Sequence, residues 1–445
     1  MNLNNLVRRF LPKKAIAKLS GRPMVQKVAK NIGWLTFDRF FQLFISFTVI
    51  LWMIRYLGPE QWGTLNYVWA FTGIFSMFIP LGLNLILTRE LVVNKNNANL
   101  ILGTAFFLQI FSSLFFTLLT IFFSFLLIKD SKLIFFIIIS SISNLFFSFQ
   151  IISTYFDSII EGKIGVISRN FALGVSALIK VYFIFFNYSL IYFVILGVIE
   201  QILLVICLSY FYLKTKNSFF EWRFDFNLAK ELLFKSWPLI LSTASLMIYL
   251  RIDQLFIGTM LSMYDLGLYS VIVKLAELGN FIPSILIVST IPIIIANKSK
   301  IEVYTHRLTK LYSIVLGFSI ILFLFLFIFA DFIILLLYGV EYSGSSNILR
   351  IYSFAIIPFF LSMVLAQYFI IENLTKYSLY TAIIAAVSNI ILNLLLIPIF
   401  GVYGAAIATV ISYSLLIISL LFFKQTRPHV KIILNSFNFF KYLKI

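Results

Sequence analysis

The sequence predicts an all-α integral membrane protein with twelve transmembrane helices, arranged as two parallel-repeat six-helix bundles around a central cavity. Three observations predict this fold class. The 445-residue chain is 61% apolar and only 12% charged, with a mean hydropathy of +1.01, which ordinary soluble proteins do not reach. Twelve apolar runs of about 20 residues follow one another along the chain. The second six runs weakly resemble the first six.

The apolar runs are bounded by charged residues or by clusters of Pro, Gly and Asn, and each can cross the roughly 30 Å apolar core of a bilayer. A basic head, residues 1–31, is expected to lie as an amphipathic helix on anionic lipid. A cytoplasmic linker (214–235) separates an N-terminal lobe (32–213) from a C-terminal lobe (236–423), and a basic cytoplasmic tail (424–445) follows. The predicted spans are residues 32–57, 62–82, 101–127, 133–157, 164–186, 190–213, 236–262, 266–295, 311–337, 351–371, 377–399 and 401–423.

The distribution of positive charge predicts the orientation of these spans. If the N-terminus lies inside, only three Lys or Arg fall in outer loops, namely Lys129, Lys132 and Arg350. Six more lie within spans, which leaves 26 of the 35 on the inner side. Because cytoplasmic loops are enriched in Lys and Arg, both termini are expected to be cytoplasmic.

An internal repeat appears when the second half is placed on the first at an offset of 204 residues. At this offset Leu57 falls on Leu261 and Gly63 on Gly267. Each half has six spans, an even number, so both halves enter the membrane from the same side and the repeat is parallel. Folds of this kind hold their substrate between the halves, which is why a central cavity is expected.

Four charges lie inside the predicted seventh and eighth spans: Arg251, Asp253, Lys274 and Glu277. At about 1.5 Å per helical residue from the polar break around Asp265, the first pair lies about 20 Å deep and the second about 13 to 18 Å deep. Charges there cost at least about 2.5 kcal/mol each, and they often mark a transport path. A simpler alternative pairs Arg251 with Glu277 and Lys274 with Asp253, only to hold two helices together.

Other charges in or near spans are weaker candidates. Arg39 lies about seven residues into the first span, with Asp38 beside it as a possible partner. Arg89 and Glu90 follow the second span, where two roles stay open: a guard at the inner mouth, or a simple interfacial pair. Lys180 in the fifth span and Glu200 in the sixth are expected to form a structural pair.

Several function classes are not expected from this sequence. Its formal net charge of +18 resides mainly between apolar runs, so we do not expect nucleic-acid binding. The two histidines, His306 and His429, lie in predicted inner polar segments, which argues against a histidine metal site or a histidine-dependent triad. The sequence has no P-loop motif, and its single cysteine, Cys207, permits no intrachain disulfide. A transporter without a cofactor is expected, rather than an enzyme.

Residues 55–63, RYLGPEQWG, resemble the signature R-x-L-G-P-E-x-[YFW]-G of bacterial polysaccharide exporters. These are the Wzx-type flippases of the multidrug/oligosaccharidyl-lipid/polysaccharide superfamily. Two weaker matches agree: Gly82-Leu83 near the end of the second span, and Asp253-x-x-x-Ile257-Gly258 leading to Gly267-x-Tyr269-Ser270 in the seventh and eighth spans. The resemblance covers essentially the whole chain.

The resemblance implies two six-helix lobes that alternate between inward and outward openings. The implied substrate is an undecaprenyl-diphosphate-linked oligosaccharide repeat unit, moved from the cytoplasmic to the outer leaflet of the bacterial inner membrane. Surface polysaccharide (O-antigen, capsule or exopolysaccharide) would be assembled from it, and a polysaccharide polymerase and other assembly proteins are possible partners, together with membrane lipid.

A diphosphate headgroup gives the buried cations a purpose, since Arg can bind phosphate oxygens through two parallel hydrogen bonds. Arg251 and Lys274 are the first candidates for this contact and Arg39 the next, with Asp253, Glu277 and Asp38 as neighbouring acids.

The signature itself has two open interpretations. Gly58 and Pro59 are expected to form a turn, so that Arg55 either caps the outer helix end or acts at a gate. Arg89 is a second candidate for a gate residue, at the inner side.

Two alternatives belong to the same superfamily. A cation-coupled multidrug exporter would use buried carboxylates such as Asp38, Asp253 and Glu277 to exchange protons or sodium for a cationic compound. A peptidoglycan-precursor lipid flippase is the closer rival, although such relatives usually carry two extra C-terminal helices. The six cations within spans are matched by six acids, so charge does not decide, and the signature favours the polysaccharide flippase.

Overall fold

The computed structural model describes residues 23–215 and 217–438, and every regular element in these ranges is helical. Side chains are described except at residues 23–41, 43, 44, 46, 85, 242 and 246. The α-helices in chain order are α1 (Pro23–Ser76), α2 (Leu83–Val93), α3 (Ala98–Leu127), α4 (Ser131–Ile142), α5 (Ile151–Ser158), α6 (Lys163–Phe185), α7 (Leu190–Lys214), α8 (Phe226–Met260), α9 (Met263–Gly279), α10 (Phe281–Ile295), α11 (Ile301–Ile328), α12 (Ala330–Leu337), α13 (Ser345–Ser353), α14 (Ile356–Ile371), α15 (Thr375–Phe400), α16 (Val402–Ile418) and α17 (Arg427–Ser436).

Each predicted span overlaps one of these helices or two consecutive ones. Nine stretches of the described chain are long and apolar enough to cross a membrane, and α13 with α14, bent by 45°, adds a tenth. The first two predicted spans are the two parts of α1, which is kinked at Gly58. Gly58 has φ 68°, a left-handed conformation that costs glycine no steric strain. Residues 1–22 of the basic head lie outside the described residues, and residues 23–31 form the start of α1.

The third predicted span, α3, shows how these helices meet lipid. Its buried face carries hydroxyl and amide side chains, and its exposed face carries phenylalanines such as Phe111, which is 66% exposed. Helices in lipid gain little by burying apolar side chains against one another, so small and polar residues mediate their packing. The buried polar residues of α3 are Gln109, Ser112, Ser113, Thr117, Thr120 and Ser124. The pattern is that of a multi-pass membrane protein.

The chain forms two compact units. Within the described ranges, the first holds residues 23–53 and 78–237, and the second holds residues 54–77 and 238–438. The predicted N-terminal lobe (32–213) therefore differs in one segment, since residues 54–77 pack with the second unit. Hydropathy locates a span but does not show which helices it contacts. The lobe boundaries otherwise stay predictions.

The predicted linker packs onto the first unit. The Trp222 indole donates to the Tyr212 hydroxyl at 2.7 Å, and the backbone N–H of Asp225 donates to Thr104 Oγ1 at 3.1 Å. The linker's last ten residues, 226–235, already form the start of α8. The connection between the two halves of the sequence is therefore a docked segment.

A reciprocal glycine contact holds the second part of α1 against α9 within the second unit. A Cβ atom at Gly63 would lie 1.7 Å from the carbonyl oxygen of Met263, and one at Gly267 would lie 1.9 Å from that of Pro59. The offset of 204 that relates Gly63 to Gly267 also relates Pro59 to Met263. The contact thus has the reciprocity of a two-fold interface, in which each partner uses the same positions. Positions related by the internal repeat of the sequence therefore make equivalent contacts in the structure.

Candidate functional site

A cavity of about 250 Å³ lies in the second unit, walled by the second part of α1, by α8 and by α9. The residues that α1 contributes recur three or four apart, so they form one face of the helix. The lining residues are Trp62, Asn66, Trp69, Ala70, Gly73, Arg251, Gln254, Ser270, Val273, Lys274 and Glu277. Three of the four charges predicted inside the seventh and eighth spans meet at this cavity.

Glu277 holds the two cations of the cavity. Arg251 Nη2 donates to Glu277 Oε1 at 3.1 Å, and Lys274 Nζ lies 3.5 Å from Glu277 Oε2. The three side chains are between 36% and 38% exposed. Lys274 therefore pairs with Glu277 and not with Asp253, which corrects the pairing suggested from sequence. Two cations share one carboxylate, and the cluster has a formal net charge of +1.

Asp253 belongs to a different set of contacts. It is 2% exposed and is not among the lining residues of this cavity. Its Oδ1 accepts from the backbone N–H of Gln254 at 2.8 Å, and its Oδ2 accepts from the Tyr269 hydroxyl. That hydroxyl lies 3.2 Å from Thr409 Oγ1. These hydrogen bonds satisfy a buried carboxylate and tie α8 to α9 and α16.

Two buried hydrogen-bond donors at the cavity have no partner among the described side chains and backbone. Trp62 and Gln254 are 1% and 2% exposed, and neither Trp62 Nε1 nor Gln254 Nε2 has a hydrogen-bond partner among the residues that the structure describes. The sequence identifies Trp62 only as the aromatic position of the signature, and it does not single out Gln254, Asn66 or Trp69 as cavity residues. Trp62, Asn66 and Trp69 are a polar residue between two aromatic ones at helical spacing, and this pattern is the sequence signal for the cavity-facing side of α1.

The signature residues contact two other helices, α12 and α9. Arg55 Nε donates to the carbonyl of Leu337 at 2.8 Å, and its Nη2 donates to that of Leu336. Arg55 thereby satisfies terminal carbonyls of α12, which have no partner within their own helix. Pro59 packs its carbonyl against Gly267. The sequence left two roles open for Arg55, a helix cap or a gate residue. The structure shows capping contacts, and the helix that Arg55 caps is α12.

The remaining sequence candidates lie in the first unit. Glu90 pairs with Lys235, Nζ to Oε1 at 2.9 Å, while Arg89 is exposed; the expected interfacial pair therefore has a different cation. Lys180 and Glu200 form the expected ion pair at 3.1 Å. The side chains of Asp38 and Arg39 lie outside the described residues, so their roles stay predictions.

Comparison with known proteins assigns the family. A model for polysaccharide biosynthesis proteins matches residues 28–298, more than half of the chain. The chain belongs to this family. A relative with 25% identity over 415 residues is the capsular polysaccharide biosynthesis protein CapF of Staphylococcus aureus, and the match covers 89% of this chain and 99% of CapF. The resemblance read from residues 55–63 is thereby confirmed.

Solved structures of transporters share the fold of this family member. An inward-facing multidrug resistance MATE family transporter of the MOP superfamily aligns with a TM-score of 0.70 at 13% identity, covering 91% of this chain and 98% of its own. The lipid II flippase MurJ, in an inward closed conformation, aligns with a TM-score of 0.66 at 17% identity, covering 92% and 91%. The MATE family transporter has a twelve-helix, two-lobe fold, and the predicted fold class is confirmed.

Proposed function

We propose that this protein is a flippase for an undecaprenyl-diphosphate-linked oligosaccharide repeat unit. It moves the repeat unit from the cytoplasmic to the outer leaflet of the bacterial inner membrane by alternating access, with both of its termini in the cytoplasm. The repeat unit then enters surface polysaccharide, in concert with a polymerase and other assembly proteins. Membership of the polysaccharide biosynthesis family and the transporter fold support this proposal.

The observation that carries the proposal is the cluster of Arg251, Lys274 and Glu277 at the cavity. A diphosphate bears more than one negative charge, and it needs cations when it leaves water. Arg251 and Lys274 supply them, and both are partly exposed at the cavity wall. Glu277 keeps the two cations paired when no substrate is bound, which offsets part of the cost of placing charges at membrane depth. The entering headgroup exchanges with Glu277 as their partner.

The same cluster disfavours a drug exporter for cationic compounds. A cation entering the cavity would meet two positive side chains against one carboxylate that both already engage. Asp253, the other acid expected to serve that function, is bound by Tyr269 and Gln254. A peptidoglycan-precursor flippase would also need cations, so this argument does not separate it from the proposal. The polysaccharide family match favours the oligosaccharide substrate.

A charge exchange in cells tests the role of the cluster. The variant Arg251→Ala is expected in the membrane at near-normal level but without surface polysaccharide. The exchange Arg251→Glu with Glu277→Arg should stay inactive, because it moves the cation away from the headgroup. The matched exchange Lys180→Glu with Glu200→Lys reverses an ion pair in the first unit and should restore the function that each single change loses. Full rescue by the exchange at Arg251 and Glu277 would contradict a substrate role for Arg251.

A further inference from the structure

We propose that Trp62 and Gln254 form a donor pair that recognises the acetamido carbonyl of the sugar attached directly to the diphosphate. This inference rests on the proposed function, because it places the headgroup on Arg251 and Lys274. Trp62 and Gln254 line the same cavity as those cations. A sugar bonded to the headgroup is carried into the same space.

The two donors have the properties of a built site. Trp62 is 1% exposed and Gln254 is 2% exposed, and the N–H groups at Trp62 Nε1 and Gln254 Nε2 have no hydrogen-bond partner within the described ranges. Buried polar groups without partners are rare in native proteins, and each requires an explanation. An acceptor supplied by a ligand provides one.

Their neighbours hold both side chains in place. The Trp62 ring packs edge-on against Trp69, with ring centroids 6.0 Å apart and an interplanar angle of 89°. The next residue, Gly63, has no Cβ atom, so the second part of α1 can lie directly against the carbonyl oxygen of Met263. Gln254 follows Asp253, whose carboxylate accepts the Gln254 backbone N–H at 2.8 Å. Donors fixed in this way lose little freedom when a ligand binds.

The cavity favours a group that only accepts hydrogen bonds. Arg251 and Lys274, which line the cavity together with the two unpartnered donors, are themselves donors without acceptor capacity. A sugar hydroxyl brings its own hydrogen, which then needs an acceptor, whereas a carbonyl oxygen brings none. A sugar carboxylate would add negative charge beside a diphosphate, in a cluster whose formal net charge is only +1. The neutral carbonyl of an acetamido substituent meets both conditions.

The size of the cavity fits this assignment. Its volume of about 250 Å³ is below the roughly 300–1,000 Å³ of pockets that enclose drug-sized ligands. It suits a headgroup with part of one sugar, and not a whole oligosaccharide. Recognition is therefore expected to concern the first sugar.

Binding of three lipid probes to the purified full-length protein tests the inference. The probes are undecaprenyl diphosphate, undecaprenyl-diphospho-glucose and undecaprenyl-diphospho-N-acetylglucosamine. The wild type should bind the N-acetylglucosamine probe most tightly. Trp62→Phe removes the indole N–H and keeps an aromatic ring, and Gln254→Met removes the amide at similar length. Each should weaken binding of the N-acetylglucosamine probe by about three- to tenfold, as expected for one lost hydrogen bond, and leave binding of undecaprenyl diphosphate unchanged.

Trp52→Phe is the matched control, because it makes the same change on the same helix at a side chain that is 51% exposed and outside the cavity lining. It should bind all three probes as the wild type does. Equal losses for all three probes in Trp62→Phe and Gln254→Met would place the donors on the phosphates and overturn the inference, as would unchanged binding in both variants. A wild type that binds none of the probes would instead overturn the proposed function, and the inference with it.

Discussion

At the scale of single residues, Glu277 is the side chain that holds both cations of the cavity. Its carboxylate is shared by Arg251 and Lys274, at 3.1 Å and 3.5 Å. All three side chains are more than a third exposed, so their attraction is screened and worth about 1 kcal/mol or less per pair. An entering diphosphate can therefore displace Glu277 without a large cost. Removing Glu277 should free both cations for the headgroup.

The variant Glu277→Gln separates the two roles of this residue. It should lower stability only modestly, by about 1 kcal/mol, because the pairs are partly exposed, and it should bind undecaprenyl diphosphate more tightly than the wild type. Arg251→Ala should bind the same lipid about ten- to hundredfold more weakly, since hydrogen bonds to charged groups contribute about 1.5–3 kcal/mol. Thermal unfolding and lipid binding on purified protein measure both effects. Weaker binding by Glu277→Gln would show that the carboxylate itself contacts the substrate.

At the scale of secondary-structure elements, a close contact between two helices shapes the cavity. The second part of α1 and α9 approach so closely that neither Gly63 nor Gly267 has room for a Cβ atom. The atoms in the way belong to the backbone at Met263 and Pro59, so they can move only if the helices separate. Because Trp62 and Lys274 lie on these two helices, the same contact sets the width of the cavity.

Alanine at Gly63 is expected to destabilise the second unit. Overpacking of a tight contact typically costs about 1–3 kcal/mol, which exceeds the roughly 1 kcal/mol gained by replacing a helical glycine with alanine. Gly174→Ala is the control, since a Cβ atom there meets nothing within 4 Å, and it should be neutral or stabilising. Thermal unfolding of the two purified variants provides the comparison. A Gly63→Ala protein as stable as the Gly174→Ala protein would contradict the described contact.

The tail helix α17 is a second element, and a buried histidine contributes to its docking. His429 is fully buried, its Nε2 lies 2.8 Å from the Tyr312 hydroxyl, and its ring stacks on Tyr368 at 3.5 Å. Ser436 adds a hydrogen bond from Ser313 to its carbonyl at 2.9 Å. Burial lowers the pKa of His429 from its ordinary value of 6.5 to about 3, because the charged form loses its water.

Docking of α17 should therefore weaken in acid. The docked state holds His429 neutral and the undocked state protonates near pH 6.5, so stability is complete above that pH and falls as the pH decreases from 6.5 towards 3. Between pH 6.5 and 5 the loss approaches about 2 kcal/mol. The protection factors of the backbone amides in residues 427–436, which correct the exchange rates for the slower intrinsic exchange in acid, should fall over this range, and His429→Phe should remove most of the dependence. Protection factors that do not change with pH in the wild type would contradict the buried neutral histidine.

For the whole molecule, the spans and their order could be predicted from sequence, because a bilayer demands about 20 apolar residues for each crossing. Arg251, Lys274 and Glu277 could be predicted as a group, because charges are conspicuous in apolar runs. The sharing of Glu277 and the separate contacts of Asp253 could not, since they depend on how α8 and α9 rotate against each other. The wall that carries Trp62 belongs to the second predicted span, and its packing with α8 and α9 is a long-range contact that hydropathy does not report.

Lipid translocation by the purified protein tests the central claim most directly. Liposomes containing an undecaprenyl-diphosphate-linked oligosaccharide in both leaflets are exposed to an external glycosidase, which cleaves only the outer pool. With the wild type reconstituted, the cleaved fraction should rise beyond the outer-leaflet share, and Arg251→Ala and Lys274→Ala should slow this rise about tenfold or more. The exchanged pair Lys180→Glu with Glu200→Lys should translocate as the wild type does. Cleavage that stays at the outer-leaflet share with the wild type, or that proceeds equally fast with Arg251→Ala, would contradict the account.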